Sequence, residues 1–76
     1  MLFEIKTLTG KKYKVNSASF STVLDIKTYL QEWEGISASQ IRLLSKGRQL
    51  ADNMSISSII ESDMQIIHMI LALRGG

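Results

Sequence analysis

The sequence predicts an α+β domain of two layers, in which one helix covers one face of a sheet of four to five strands. Three observations lead to this fold. The chain has 76 residues, which suffices for one small domain with a modest core. Apolar and polar residues alternate in four segments, as they do in half-buried strands. Only one long segment, between the second and third of these, has apolar residues at helical spacing. The predicted order is therefore ββαββ.

The first two strands are expected to form a hairpin. Side chains alternate between apolar and polar in residues 1–7 and again in residues 11–16. The intervening turn contains Gly10, which can adopt a positive φ at no steric cost. Two alternating strands joined by a short turn with glycine are typical of a β-hairpin.

The helix is expected to begin after Thr22 and to end at Gly35. Asp25 follows Thr22 at the spacing of a capping box, and Gly35 suits the left-handed residue that often ends a helix. The apolar residues at helical spacing indicate the face that packs on the sheet. By this pattern, the buried stripe consists of Val23, Ile26 and Leu30. Trp33 falls on the same stripe and is expected either at the core or its edge, or in contact with a partner.

The second half of the chain continues with a strand at residues 40–45, a turn at Lys46-Gly47 and a short extension at residues 48–50. Residues 54–60 have an ambiguous pattern, for which we expect a single helical turn. The last strand is predicted at residues 65–72, where two apolar faces alternate.

Composition excludes several classes of function. Without cysteine and with one histidine, the chain has no material for a thiolate nucleophile or a clustered metal site, and it contains no phosphate-binding glycine motif. An enzyme is therefore not expected. The net charge of +2 includes two basic segments, but the aromatic residues are too scattered to stack nucleic-acid bases. No apolar run approaches the roughly 20 residues of a membrane helix. A small domain without cysteine fits a reducing compartment, such as the cytoplasm or nucleus.

One surface is a candidate for docking. Four residues, at the hairpin turn and on the third and last strands, occupy solvent-side positions of the alternation. Scattered exposed apolar residues are common, whereas a contiguous patch with a basic rim more often marks a binding site. The predicted docking patch consists of Leu8, Leu44, His68 and Ile70, with Lys6, Arg42 and Arg48 as its rim.

The chain resembles the ubiquitin family along its whole length. The segments that carry the resemblance are Lys6-Thr7-Leu8-Thr9-Gly10-Lys11, Glu34-Gly35-Ile36, Arg42-Leu43, Gly47 with Gln49, Asp52, His68 and Leu73-Arg74-Gly75-Gly76. This resemblance implies the β-grasp fold, a mixed sheet packed on one helix. It further implies a domain at residues 1–72 followed by a flexible conjugation tail at residues 73–76.

Within this family the chain is most similar to the Nedd-type (Rub) modifiers, and the residue that decides is Ala72. Ubiquitin has arginine at this position, which helps each activating enzyme select its modifier. Four further residues match the Nedd type: Leu2, Val23, Ile26 and Glu32. Four others match ubiquitin: Thr22, Gln31, Leu50 and Ser57.

The resemblance implies a conjugation function. The Gly76 carboxylate, next to Gly75, would be activated with ATP and magnesium by an activating enzyme that recognises Leu71, Ala72, Leu73 and Arg74. The modifier itself, a monomer, would bind no cofactor. Its expected partners are activating and conjugating enzymes, ligases, a processing protease and cullin-type targets. The alternatives are a divergent ubiquitin, or a non-covalent ubiquitin-like domain that uses only the patch.

The lysines and a few departures from the family carry further expectations. Lys6 and Lys11 are possible acceptors, but the two most used linkage positions hold Arg48 and Asp63, which cannot extend a chain. Lys27 and Asp52 resemble the internal ion pair of the family. Glu61 replaces a buried apolar residue, so either Ile59 or Ile60 takes its place in the core, or the segment is loosened.

Overall fold

The computed structural model describes residues 1–72 of the chain. The strands are β1 (Leu2–Lys6), β2 (Lys12–Asn16), β3 (Ile41–Ser45), β4 (Arg48–Gln49) and β5 (Gln65–Leu71), and the helices are α1 (Val23–Glu34) and α2 (Ile56–Ile59). Single 3₁₀ turns occupy Ser17–Ser19 and Ala38–Gln40. The strands form one sheet in the order β2-β1-β5-β3-β4. The pair β1–β5 is parallel and the other three pairs are antiparallel, which confirms a mixed sheet packed on one main helix.

The β1–β2 hairpin has the predicted turn. Gly10 has a φ of 89°, and its N–H donates to the carbonyl oxygen of Thr7 at 3.1 Å. The register pairs Phe3 with Val15 on the buried face of the hairpin. Because β1 also pairs with β5, the hairpin contributes an edge strand and an interior strand to the sheet.

Helix α1 is capped at both ends as the sequence predicted. The Thr22 hydroxyl accepts from the N–H of Asp25, and the Asp25 carboxylate accepts from the N–H of Thr22, which completes a capping box. At the other end Gly35 has a φ of 67° and donates its N–H to the carbonyl oxygen of Gln31. These caps fix the length of the helix that covers the sheet.

Of the two expectations for Trp33, the one that places it in the core is wrong. Val23, Ile26 and Leu30 are buried, but Trp33 is 63% exposed. Trp33 is the next-to-last residue of α1. There its ring lies over Tyr29, with the ring centroids 6.2 Å apart, on the flank of the helix. The fourth buried position of α1 is taken instead by Lys27.

The segment around α2 keeps a closed core despite Glu61. The predicted helical turn forms at Ile56–Ile59, and Ile59 and Ile60 are both buried. Glu61 is exposed, and its carboxylate lies 2.7 Å from the Lys46 ammonium. The two isoleucines therefore supply the apolar side chains to the core, and the expectation of a loosened segment does not apply.

Candidate docking surface and C-terminal segment

The outer face of the sheet brings Leu44, His68 and Ile70 onto two neighbouring strands. Leu44 on β3 lies directly opposite His68 on β5, and Ile70 is the next outward residue along β5. His68 is exposed, whereas Leu44 and Ile70 are half-buried. The antiparallel register thus places an imidazole between two aliphatic side chains, on a surface where a partner could dock.

Leu8 lies in a different apolar environment from the one predicted. It is 76% exposed in the hairpin turn. Together with Ile36 and Leu71 it lines a depression of about 100 Å³, at the end of the sheet where α1 ends. Ile36 was not predicted as a site residue. An apolar residue directly after the helix-ending Gly35 is the signal that would have indicated it.

Basic residues border the outer-face cluster. Lys6 on β1 pairs in parallel register with His68, and Arg42 on β3 lies opposite Ile70. Arg48 pairs with Ser45, which is buried on the other face of the sheet, so the register does not bring Arg48 to this border as predicted. The register therefore places cations on both sides of the apolar residues, an arrangement that favours partners with an acidic rim.

The C-terminal segment is held to the sheet up to Ala72. Leu71, which is 39% exposed, lies opposite Ile41. The N–H of Ala72 donates to the carbonyl oxygen of Gln40 at 2.7 Å. The remaining predicted site residues Leu73, Arg74, Gly75 and Gly76, with the tail that they were predicted to form, lie outside the described residues. Ala72 therefore has a defined position at the end of β5.

Comparison with known proteins identifies the fold that carries these surfaces. The ubiquitin family profile matches residues 3–74. The chain belongs to the ubiquitin family. The mixed five-stranded sheet described above is the β-grasp arrangement of that family.

Three relatives align with the whole chain of this ubiquitin-family protein. It is 41% identical to "Ubiquitin-like protein 1" of Schizosaccharomyces pombe, over 97% of that protein. It is 38% identical to "NEDD8-like protein RUB1" of Saccharomyces cerevisiae and 38% identical to "Ubiquitin-like protein NEDD8" of Dictyostelium discoideum, over 99% of each. These similarities confirm the predicted resemblance to the Nedd-type members of the family.

Membership of this family also bears on catalysis. Ubiquitin-like modifiers are tags on which enzymes act, so the chain is not an enzyme.

Among residues 1–72, no three His, Asp or Glu side chains come together as a group that could hold a metal ion. The helices of this described part are also too short to cross a membrane.

The lysines of the ubiquitin-family domain differ in accessibility. Lys6 is exposed, and so is Lys11, whose ammonium lies 3.5 Å from the Glu34 carboxylate. Lys27 is buried, and its Nζ lies 2.5 Å from Oδ1 of Asp52. The structure thus contains the internal ion pair that the resemblance implied. The side-chain amines of Lys6 and Lys11 are accessible to an enzyme that carries a bound acyl group.

Proposed function

We propose that the chain is a Nedd-type ubiquitin-like modifier, joined through the Gly76 carboxylate to lysines of target proteins. The observation that carries this proposal is Ala72, in the segment from Leu71 to Arg74. Alanine is the residue of the Nedd type at this position, whereas ubiquitin has arginine. Full-length similarity to NEDD8 and Rub proteins supports the same assignment.

The proposed reaction takes place on partner enzymes. On an activating enzyme with ATP and magnesium, the Gly76 carboxylate attacks the α-phosphate of ATP and pyrophosphate leaves, which gives the acyl adenylate. A cysteine thiolate of that enzyme then attacks the acyl carbon and AMP leaves, which gives a thioester. The thioester passes to a cysteine of a conjugating enzyme. A target lysine amine finally attacks the acyl carbon, the thiolate leaves, and an isopeptide bond results. The modifier supplies the acyl group and binds no cofactor of its own.

Within this scheme, Leu71, Ala72, Leu73 and Arg74 form the segment that the activating enzyme recognises, and Gly75-Gly76 presents the carboxylate. Ala72 acts because it carries no charge. An arginine without an acidic partner would leave a costly unpaired charge in the interface, whereas alanine leaves none. The hydrogen bond from Ala72 to Gln40 supports this role because it fixes where the segment leaves the sheet.

The remaining surfaces serve non-covalent recognition in this proposal. The cluster of Leu44, His68 and Ile70 docks conjugating enzymes and ligases, and Leu8 acts from its separate site beside Ile36. The exposed Lys6 and Lys11 are the acceptors if chains form. The targets are of the cullin type, a processing protease prepares the carboxylate, and the modifier acts as a monomer in the cytoplasm and nucleus.

A thioester assay tests the proposal directly. The chain is incubated with ATP and magnesium and with purified activating enzyme of either the Nedd or the ubiquitin pathway. We expect a thioester, cleaved by reducing agent, with the Nedd enzyme alone. A thioester with the ubiquitin enzyme alone would identify a divergent ubiquitin, and none with either enzyme would indicate a non-covalent interaction domain.

The variant Ala72→Arg tests which residue carries the selection. We expect its preference to move from the Nedd enzyme toward the ubiquitin enzyme. The matched control is Ser39→Arg, which adds the same charge on the neighbouring 3₁₀ turn without altering the segment. An unchanged preference in Ala72→Arg, or an equal shift in the control, would remove Ala72 from this role.

A further inference from the structure

The strand β2 is an open edge of the sheet. Among residues 1–72 it pairs only with β1. The N–H of Thr7 donates to Lys11 and the N–H of Ser17 donates to Met1, at 2.9 and 2.8 Å, so the hydrogen-bonded pairs of this ladder fall at odd-numbered residues. Lys12 and Lys14 therefore direct their backbone N–H and C=O groups away from β1, where an added strand could bond them.

The outer face of this edge is basic. Lys12 and Lys14 are exposed, and Lys12 lies directly opposite Lys6 on β1. None of these three lysines takes part in an ion pair within residues 1–72. Glu4, the one acidic residue that the hairpin presents on this face, is half-buried opposite Lys14. Like charges placed directly opposite each other disfavour the pair, so negative side chains on an added strand would relieve that repulsion.

The inner side of the same edge is aromatic. Tyr29 of α1 makes edge contacts with Tyr13 of β2 and with Phe20, at centroid distances of 6.4 and 5.4 Å. Trp33 extends this row over Tyr29 and is 63% exposed. We call these four residues the aromatic shelf. Since the shelf flanks β2 on the helix side, a strand added there would direct every second side chain toward it.

From these placements we propose that the β2 edge binds an extended peptide in which acidic and apolar residues alternate, by addition of a sixth strand to the sheet. Lys12 and Lys14 pair with the acidic side chains on the outer face, and the aromatic shelf receives the apolar ones. Main-chain hydrogen bonds to the two lysines hold the register.

A second copy of the chain does not fit this edge. Pairing β2 with another β2 would set Lys12 and Lys14 against lysines of the partner, and like charges across a ladder are unfavourable. The occupant is therefore an acidic peptide of another protein. This binding needs neither the Gly76 carboxylate nor an activating enzyme, so its failure would leave the proposed conjugation untouched.

The test uses the whole chain and a synthetic peptide of alternating Glu and Val. Trp33 is the only tryptophan, so its fluorescence reports binding at the shelf. We expect a saturable change in Trp33 emission and slower hydrogen exchange of the Lys12 and Lys14 amides. Two control peptides have the same composition: one groups Glu and Val in blocks, and one is N-methylated on the amides that face the edge. Each is expected to bind at least roughly tenfold more weakly.

Charge reversal tests the role of the lysines. The variant Lys12→Glu/Lys14→Glu lowers the formal net charge by four, from +2 to −2, and should weaken binding roughly tenfold. The matched control Arg42→Glu/Arg48→Glu makes the same change on β3 and β4 at the far side of the sheet. It should retain most of the affinity. Trp33→Ala removes an exposed side chain together with the fluorescent reporter, so its binding is followed by hydrogen exchange of the Lys12 and Lys14 amides and should be about fivefold weaker.

Several outcomes would overturn the proposal. Equal binding of the alternating and block peptides would mean that charge alone is recognised. Equal binding of the N-methylated peptide would exclude strand addition. Tighter binding of single-stranded DNA than of the peptide would indicate a nucleic-acid surface, and protection confined to β4 or to residues around His68 would place the peptide elsewhere.

Discussion

The ammonium of Lys27 and the carboxylate of Asp52 form an ion pair that joins α1 to the segment before α2. Nζ of Lys27 lies 2.5 Å from Oδ1 of Asp52, with the lysine side chain 9% exposed and the aspartate 56% exposed. The same segment accepts two backbone hydrogen bonds of 3.0 Å, from Leu24 to Asp52 and from Val23 to Met54. The first two turns of the helix are therefore anchored by three contacts with one segment.

The two halves of this ion pair should respond differently to replacement. Asp52→Ala leaves a buried ammonium without its partner and should lower the free energy of unfolding by about 2 kcal/mol. Lys27→Met removes the buried charge and leaves Asp52 in water, so its cost should stay below about 1 kcal/mol. Urea denaturation of both variants and of the double variant measures this. Equal losses in the two single variants would contradict the asymmetry.

A hydrogen bond between Tyr13 and Glu34 connects β2 with the end of α1. The Tyr13 hydroxyl donates to the carboxylate, and this bond, with burial and the nearby negative charge, raises the pKa of Tyr13 to about 12. The neutral phenol is the form that the fold prefers. Its contribution to stability is therefore complete below the ordinary pKa of about 10 and is lost as the pH rises through the folded value.

We therefore expect one tyrosine to titrate late. Absorbance of the phenolate should show Tyr13 ionising about two pH units above its usual value, and Tyr13→Phe should remove that step. The stability advantage of the wild type over Tyr13→Phe should decrease between about pH 10 and 12. Tyr29→Phe serves as the control. Were it to abolish the late step, the assignment to Tyr13 would be wrong.

Local patterns sufficed for most of the fold. The alternation in residues 1–7 and 65–72 predicted strands because successive side chains of a strand face opposite sides. Thr22, Asp25 and Gly35 predicted the helix ends because caps depend on neighbouring residues alone. The register that brings Leu44, His68 and Ile70 together needed only the assumption that the third and last strands are neighbours.

Long-range contacts could not be predicted in the same way. The exposure of Trp33 depends on where the flank of α1 lies relative to the sheet, which helical periodicity does not specify. Leu8 joins Ile36 and Leu71 because the segment after α1 returns to the hairpin turn. The burial of Gln65 likewise depends on partners distant in sequence, such as Ser45.

Gln65 is a buried amide that uses both of its ends. Its oxygen accepts from the N–H groups of Glu61 and Ser62, at 2.8 and 3.4 Å. Its nitrogen donates to the Ser45 hydroxyl and to the carbonyl oxygen of Ile59, both at 3.0 Å. One side chain thus holds the chain between α2 and β5 against β3.

Gln65→Ala should lower the free energy of unfolding by about 3 kcal/mol, because several buried polar groups lose their partner at once. The exposed Gln49→Ala is the control and should change stability by less than about 0.5 kcal/mol. Gln65→Leu combined with Ser45→Ala removes donor and acceptor together, so the pair should cost less than the sum of the single changes. Strict additivity in denaturant melts would show that the Gln65–Ser45 bond contributes little.

Met64 has a left-handed backbone conformation, with a φ of 62°, directly before β5. A side chain at such a φ costs roughly 1–2 kcal/mol, a cost that glycine does not have. Met64→Gly should therefore be more stable than Met64→Ala by about 1 kcal/mol, since both lose the methionine side chain and only alanine keeps the strain. Thermal and urea unfolding of the two variants give the difference.

Lys46 provides the internal comparison for Met64. Its φ is 53°, so glycine should relieve strain there too, but Lys46→Gly also removes the contact of 2.7 Å with Glu61. The hydrogen bond from Lys46 holds the pKa of Glu61 below its usual value. The carboxylate form is thus favoured by the fold, and its contribution is present above the ordinary pKa and lost as the pH falls through the folded value. Relative to the wild type, Lys46→Gly should consequently be less favourable at neutral pH than in acid, where the ion pair no longer contributes to stability. If the difference in free energy of unfolding between Lys46→Gly and the wild type does not change with pH, the ion pair does not contribute to stability.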